Sequence, residues 1–473
     1  MPFSSVLAVA VTLASAAPSA PSPARFIPSP VAATSSSSGR VTGAAFAAFA
    51  RRVPSFSRQT KLPCGACHNG FPALNAFGRL FKLNGYTMTG LPTIDMQLDS
   101  ASRKQLQLSP IAPLAVMAVA GGTKLAKAVP GTSSFSTEFP QQFSFFAASG
   151  ISPKMGIFSQ LTYSGQDGTF GIDNIDLRYA SHATVGGHDL LYGVSVNNNP
   201  TVQDVWNTTP AWGFPFIASA AAPGPAAATK IEGAYAQSVV GVGAYTLLNS
   251  TLYAELSGYA AAPQGAAQPL DSSARNTPRS VSPYWRLALQ HQYADTYLMV
   301  GAFGMSSHVY PAGMVGATDH FNDVGLDAQV ERRVGTGTLI GRASYIHESQ
   351  TLPASLAAAA VANATNTLST YRANVTYQPS LAHAITAGLF SVSGSADATL
   401  YPSGDVTGSA TGRPNSAGFI VDGDMNAWMN VRLGAQYVGY TKFNGGSTSY
   451  DVPSGGRSAK DNNTLYLYLW LAF

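Results

Sequence analysis

The sequence predicts an all-β protein: a transmembrane β-barrel of about sixteen antiparallel strands, with a small α-helical segment on its N-terminal side that plugs the lumen. Three observations predict it. From about Leu108 onward, segments of roughly ten residues alternate apolar and polar side chains with a period of two. The connections between those segments alternate between short and long, as they do when a chain weaves up and down a barrel wall. The last segment is apolar on both faces up to Phe473, which the final strand of a soluble sandwich seldom is.

The chain begins with an apolar run, Val6 to Ala17, in which Ala14-Ser15-Ala16 offers a small-residue cleavage site, so residues 1–17 read as a signal peptide. Its first five residues carry no Lys or Arg, an atypical n-region. Residues 18–50 are rich in Pro, Ala and Ser and form a linker. Residues 51–108 hold the chain's only two cysteines, and 109–473 form the barrel.

Composition narrows the destination. Only 11% of residues are charged and 45% are apolar, yet no run approaches the roughly 18 apolar residues of a transmembrane helix. With 46 glycines, 21 tyrosines and 23 phenylalanines, the remaining way to live in a membrane is with strands. A net charge of +4 over 473 residues is too dilute for a nucleic-acid partner.

The alternation is cleanest at 368–378, where Tyr371, Ala373, Val375 and Tyr377 oppose Arg372, Asn374, Thr376 and Gln378. Strands are expected near 109–120, 138–148, 153–164, 170–181, 188–197, 237–248, 251–261, 283–293, 295–306, 321–333, 336–347, 368–378, 382–393, 417–427, 430–442 and 463–473. Every second connection is then a tight turn, whereas 198–236, 262–282, 348–367, 394–416 and 443–462 are long. Both barrel ends emerge on the short-turn side, as in bacterial outer-membrane barrels. The face formed by Leu465, Leu467, Leu469, Leu471 and Phe473 resembles the sorting signal of such proteins.

The chemistry sits in Cys64-Gly65-Ala66-Cys67-His68. Two thiols at that spacing beside an imidazole are the attachment pattern of a c-type haem: the sulfurs form thioethers to the vinyl groups, and His68 becomes the proximal iron ligand. A zinc site needs four ligands, and of eight histidines only His68 is near these cysteines. A redox dithiol would leave His68 idle and lacks its usual βαβ setting. One covalent haem c is therefore expected, and its chemistry is transfer of single electrons. Leu74, Phe77 and Phe81 recur at helical spacing, with Pro72 suited to a first turn and Gly85 to a C′ stop, so that helical face is expected to cover the haem. For the sixth ligand, Met88 and Met96 lie downstream at workable separation; a barrel histidine or an open site remain alternatives.

Val53 to Thr60, Cys64 to His68, Phe71 to Gly78, Phe81 to Tyr86 and Asn197 to Gly213 together resemble the fused monohaem cytochrome-porins of iron-oxidising bacteria, over about Ala50 to Phe473. The resemblance implies an iron:cytochrome c oxidoreductase of the bacterial outer membrane. Extracellular Fe(II) would give an electron to the haem, and a periplasmic c-type cytochrome or copper protein would accept it. The alternatives are a passive diffusion porin, or a cytochrome-porin with another donor. Two further expectations concern charge. Arg178, Arg286, Arg342, Arg372 and Arg432 fall on polar strand faces toward the lumen, where one or more would grip a haem propionate unless wall carboxylates pair them. His347-Glu348, and Asp319-His320 with Asp323, could hold Fe(II) briefly.

Overall fold

The computed structural model describes residues 54–95, 112–261, 277–311, 313 and 315–473. The expected signal peptide (1–17) and linker (18–50) lie outside the described residues, as does Met96.

Sixteen antiparallel strands close on themselves. They are β1 (Leu114–Leu125), β2 (Phe135–Ser152), β3 (Met155–Ser164), β4 (Thr169–Val185), β5 (His188–Asn197) and β6 (Val240–Leu248). There follow β7 (Leu252–Ala260), β8 (Ser282–Tyr293), β9 (Thr296–Tyr310), β10 (Asp319–Val334) and β11 (Gly337–Thr351). The last are β12 (Thr365–Ser380), β13 (His383–Gly394), β14 (Ser416–Trp428), β15 (Val431–Lys442) and β16 (Thr464–Ala472). Each pairs with the next, and β16 returns to β1 in the register Thr464↔Leu125 to Ala472↔Met117. Closure leaves no strand edge in lipid, the requirement that excludes open sheets from membranes.

The period-two pattern sorts the two faces. Outside, Leu256, Leu287, Val300, Leu326, Val375, Leu389 and Leu467 are exposed, a surface suited to hydrocarbon. Exposed Tyr293, Tyr377 and Trp428 lie toward the short-turn end and Phe135, Phe139 and Phe170 toward the other, in the positions of interfacial aromatic girdles. Inside, Tyr466, Tyr468 and Trp470 of β16 are buried. Tight turns at 153–154, 186–187, 249–251, 294–295, 335–336, 381–382 and 429–430 share one end with both barrel termini.

The first strand starts and ends five residues later than the alternation suggested. Gly121 lies inside this strand, where a Cβ would come 2.3 Å from Gln141 Oε1 and 2.8 Å from the Tyr466 ring.

The long connection 198–239 folds inward. Its Gln203 donates to Glu255 (2.6 Å), and Trp206 donates through its indole N–H to the Tyr297 hydroxyl (2.7 Å). Backbone N–H groups of Lys230 and Ile231 donate to Glu348 (2.5 Å) and Asp323 (2.9 Å). These contacts absorb the lumen's charges. Arg178 pairs with Asp176, Arg286 with Asp204 and Asp327, Arg372 with Glu232 and Arg432 with Asp424, and Arg342 donates to the Trp206 carbonyl. All five arginines face inward as expected, and each has an acceptor on the wall or the inward loop.

The proposed Fe(II)-holding pairs are corrected. Adjacent strand residues point to opposite faces, so Glu348 faces in while His347 bonds Ser369, and Asp319 faces in while His320 stacks on His308. Asp319 is engaged instead with Ala354 N–H, Ser355 N–H and the Ser355 hydroxyl.

At the loop end, Asp397 ties the connection 352–364 to its own. Burial pushes its carboxyl up, but N–H donors from Leu400, Ala362 and Asn363 and the Asn366 amide outweigh burial and hold it at about 2. A depressed folded-state pKa stabilises above the unfolded value of 3.8 and is lost as pH falls through about 2. Pepsin should therefore begin to cut these loops only as the pH approaches that value, and at higher pH in Asp397→Asn.

Candidate cofactor site

Residues 54–95 fold against the inner wall in short pieces that pin one another. Helix α1 (Ser55–Thr60) is anchored to β2: the Ser55 hydroxyl and Gln59 amide both donate to the Ala148 carbonyl, at 2.6 and 2.8 Å. A 3₁₀ turn, Cys64–Ala66, carries the thiols, with Cys67 N–H donating to the Cys64 carbonyl at 3.1 Å. Strand pairs His68–Gly70 and Ala73–Leu74 follow, then helix α2 (Ala76–Leu83).

Asn75 joins the turn to the helix. Its Oδ1 caps α2 by accepting Gly78 N–H (3.0 Å), its amide donates to the Ala66 carbonyl (3.0 Å), and its own N–H donates to the Cys67 carbonyl (2.9 Å). Such a cap contributes about 1 kcal/mol. Pro72, expected in the first helical turn, lies before it, between the two short strands. Gly85 does sit in the left-handed conformation (φ 70°) just past the Asn84 C-cap, as its C′ reading required.

Gly78 stands where α2 meets the cysteine turn. A Cβ there would come 2.2 Å from the Cys67 carbonyl oxygen, which backbone cannot yield cheaply. Gly78→Ala should cost about 1–3 kcal/mol, seen as faster proteolysis of segment 54–95 within an intact barrel.

The thiols and imidazole border a cavity of about 470 Å³, within the range of small-molecule and cofactor sites. Segment 54–95 supplies Phe56, Leu74, Phe81 and Tyr86; the wall supplies Met117, Val119, Phe146, Phe158 and Trp470; the inward loop supplies Trp212, Phe216 and Ile217. Phe56 stacks on Tyr86 at 5.5 Å and meets Phe81 edge-on at 5.1 Å. Phe71 bridges His68 and Trp470, at 5.1 and 5.2 Å.

His68 is half-buried. Its Nδ1 lies 3.0 Å from the Pro72 carbonyl, an acceptor only, so Nδ1 carries the proton and Nε2 the lone pair. Burial lowers its pKa against that contact and favours the neutral ring. Cys64 is exposed and Cys67 half-buried, and they form no disulfide. Burial, then the neighbouring Cys64, push the Cys67 thiol up to about 11, the reverse of a redox dithiol, whose attacking sulfur is held as thiolate. Among the described residues Lys82 is the one cationic side chain of the cavity lining; burial, with Arg178 adding, lowers its pKa to about 7. It donates to the carbonyls of Val202 (2.6 Å) and Asp204 (3.0 Å).

The structure thus gathers Cys64, Cys67, His68, Leu74 and Phe81 around one cavity, but not Phe77 or Met88. Phe77 is 39% exposed and Met88 37%, and neither borders the cavity. The cavity-facing stripe of α2 runs through Gly78, Phe81 and Lys82, an i, i+3, i+4 set, which leaves Phe77 off that stripe and exposed. The wall and loop contributions were invisible in sequence, since nothing local links Met117, Trp212 or Trp470 to Cys64.

No family model matches the chain, and no curated protein does. Among solved structures the chain is similar to an anion-selective porin from Comamonas acidovorans (11% identity, TM-score 0.46, covering 76% of this chain and 98% of that one). It is similar also to the outer membrane channel DcaP of Acinetobacter baumannii (11%, 0.42, 76% and 96%) and to the outer membrane protein OmpT of Vibrio cholerae (11%, 0.41, 76% and 96%). The closed wall, lipid-facing belt and one-sided tight turns make this a porin-like barrel of the bacterial outer membrane.

Proposed function

We propose that the protein is an outer-membrane electron-transfer cytochrome-porin: one covalent haem c, held by segment 54–95 as a plug in the barrel, takes electrons from extracellular Fe(II). The observation that carries this reading is the joint placement of Cys64, Cys67 and His68 at one apolar cavity of about 470 Å³. The haem, when bound, supplies one-electron oxidation and reduction at its iron.

The chain's own residues have separable tasks. Cys64 and Cys67 would attach the group, and His68 would ligate it in the tautomer that the Pro72 carbonyl favours. Asn75 and Gly78 hold the cysteine turn on α2. Phe56, Phe81, Phe158, Trp212 and Trp470 exclude water. The plug reading is supported by reach: Gln59 bonds β2, whereas Arg79 pairs with Glu331 on β10, and these strands are diametrically opposed in a wall of sixteen. Cys64-Gly65 lies beside Leu381 in a short turn, on the periplasmic side, where a c-type cytochrome or copper protein would accept the electron.

Fe(II) as donor rests on the resemblance in the haem segment and at Asn197 to Gly213. A passive diffusion porin would leave the cavity and the paired thiols without a role. A pyridine haemochrome spectrum of the purified protein separates the two, since a porin shows none. Stopped-flow reduction by Fe(II) against other donors then tests the substrate; if Fe(II) is no faster than unrelated reductants, the iron assignment fails while the cytochrome stands.

A further inference from the structure

We infer that Met117, on the inner face of β1, is the sixth ligand to the haem iron, so that the plug supplies one axial ligand and the barrel wall the other. This rests on the covalent-haem reading above. Side chains that can serve as axial ligands are imidazole, thioether, amine and phenolate. Among the described residues, with His68 and the two cysteines assigned, the cavity lining offers Met117, Lys82 and Tyr86.

Two of the three are engaged elsewhere. The Lys82 amine donates to the Val202 and Asp204 carbonyls and lies 5.0 Å from the Trp212 ring centre. The Tyr86 hydroxyl donates to Asp176 at 2.6 Å, and a phenolate would be repelled there. Met117 has no such commitment. It is 6% exposed and packs with Val119, Tyr466, Tyr468 and Trp470, and Trp470 also touches the Phe71 ring that flanks His68. The wall cluster holding the thioether and the segment holding the imidazole therefore border one cavity from two sides. Met88, the residue nominated by sequence separation, lies off the cavity. A thioether raises the reduction potential relative to a second imidazole, as acceptance from a weak donor requires, and the iron would bridge plug and wall.

The test uses the full chain in detergent. Ferric wild type should show the near-infrared charge-transfer band of thioether-ligated haem. Met117→Leu should lose it, become high-spin, bind carbon monoxide readily when reduced and fall in potential. Met88→Leu should keep the band. Met117→His should restore a low-spin spectrum without the thioether band, and it carries the test if the leucine variant does not fold. A band that survives Met117→Leu or Met117→His, or vanishes in Met88→Leu, overturns the assignment, as does a wild type with a normal haemochrome and no band. A wild type without haemochrome overturns the haem reading first and this one with it.

Discussion

Cys64→Ala, or Cys67→Ala with more severe effect, is expected to insert as a barrel that migrates with the heat-modifiability of the wild type and stains little or not at all for covalent haem. The two readouts separate because the forces are separate. Closure runs through β16 and β1, from Thr464↔Leu125 to Ala472↔Met117, and involves no residue of the cysteine turn. Segment 54–95 is itself held by contacts that ignore sulfur: Ser55 and Gln59 on Ala148, Arg79 on Glu331, and the Tyr245 hydroxyl on the Leu83 carbonyl (2.6 Å). The thioethers are needed only for attachment. Cys67 is the more buried of the pair, so trimming its side chain to a methyl group also removes packing from the turn, while the Asn75 N–H bond to its backbone carbonyl stays. His68→Ala is the companion: attachment persists in part, but the proximal ligand is gone and the low-spin spectrum with it. Full covalent haem in either cysteine variant would refute the attachment.

What could be read in advance, and what could not, follows from the range of each interaction. A strand's alternation is local. Tyr371, Val375 and Tyr377 against Arg372, Asn374 and Gln378 is legible in one window, and so were the number of strands and the end at which tight turns cluster. Gly85 as a helix stop and Cys64, Cys67 and His68 as one site were legible for the same reason. The cavity is not local. Its lining draws on β1, β2, β3 and β16 and on a loop about 140 residues downstream, where Asn207 Oδ1 accepts the Leu74 N–H at 3.0 Å. Sequence proximity therefore nominated Met88 and Phe77, which are near His68 along the chain but not at the cavity. The lumen arginines show the same limit. Alternation oriented all five correctly, but their partners on neighbouring strands and the inward loop depend on register, which one-dimensional patterns do not give.

Removal of residues 51–108 is expected to convert a nearly closed protein into an open channel, measured as a large rise in single-channel conductance in planar bilayers. Barrels of this strand number have lumens wide enough for water unless something occupies them; here the inward connection 198–239 does so, joined in the proposed function by segment 54–95. Connection 198–239 is tethered to the wall through Glu255, Arg286, Asp323 and Glu348; it stays in the variant and sets the size of the remaining pore. Segment 54–95 spans from β2 to β10 and also touches Trp470 on β16 and Asp424's partner Arg432 on β15, so its loss clears the short-turn half of the lumen. The variant should also lose the ion pair of Glu331, leaving that carboxylate hydrated in the opened channel and biasing it toward cations. A conductance equal to that of the full protein would mean that the segment does not obstruct the lumen in the membrane, and would remove the plug from the proposed function while leaving covalent haem to stand on its own test.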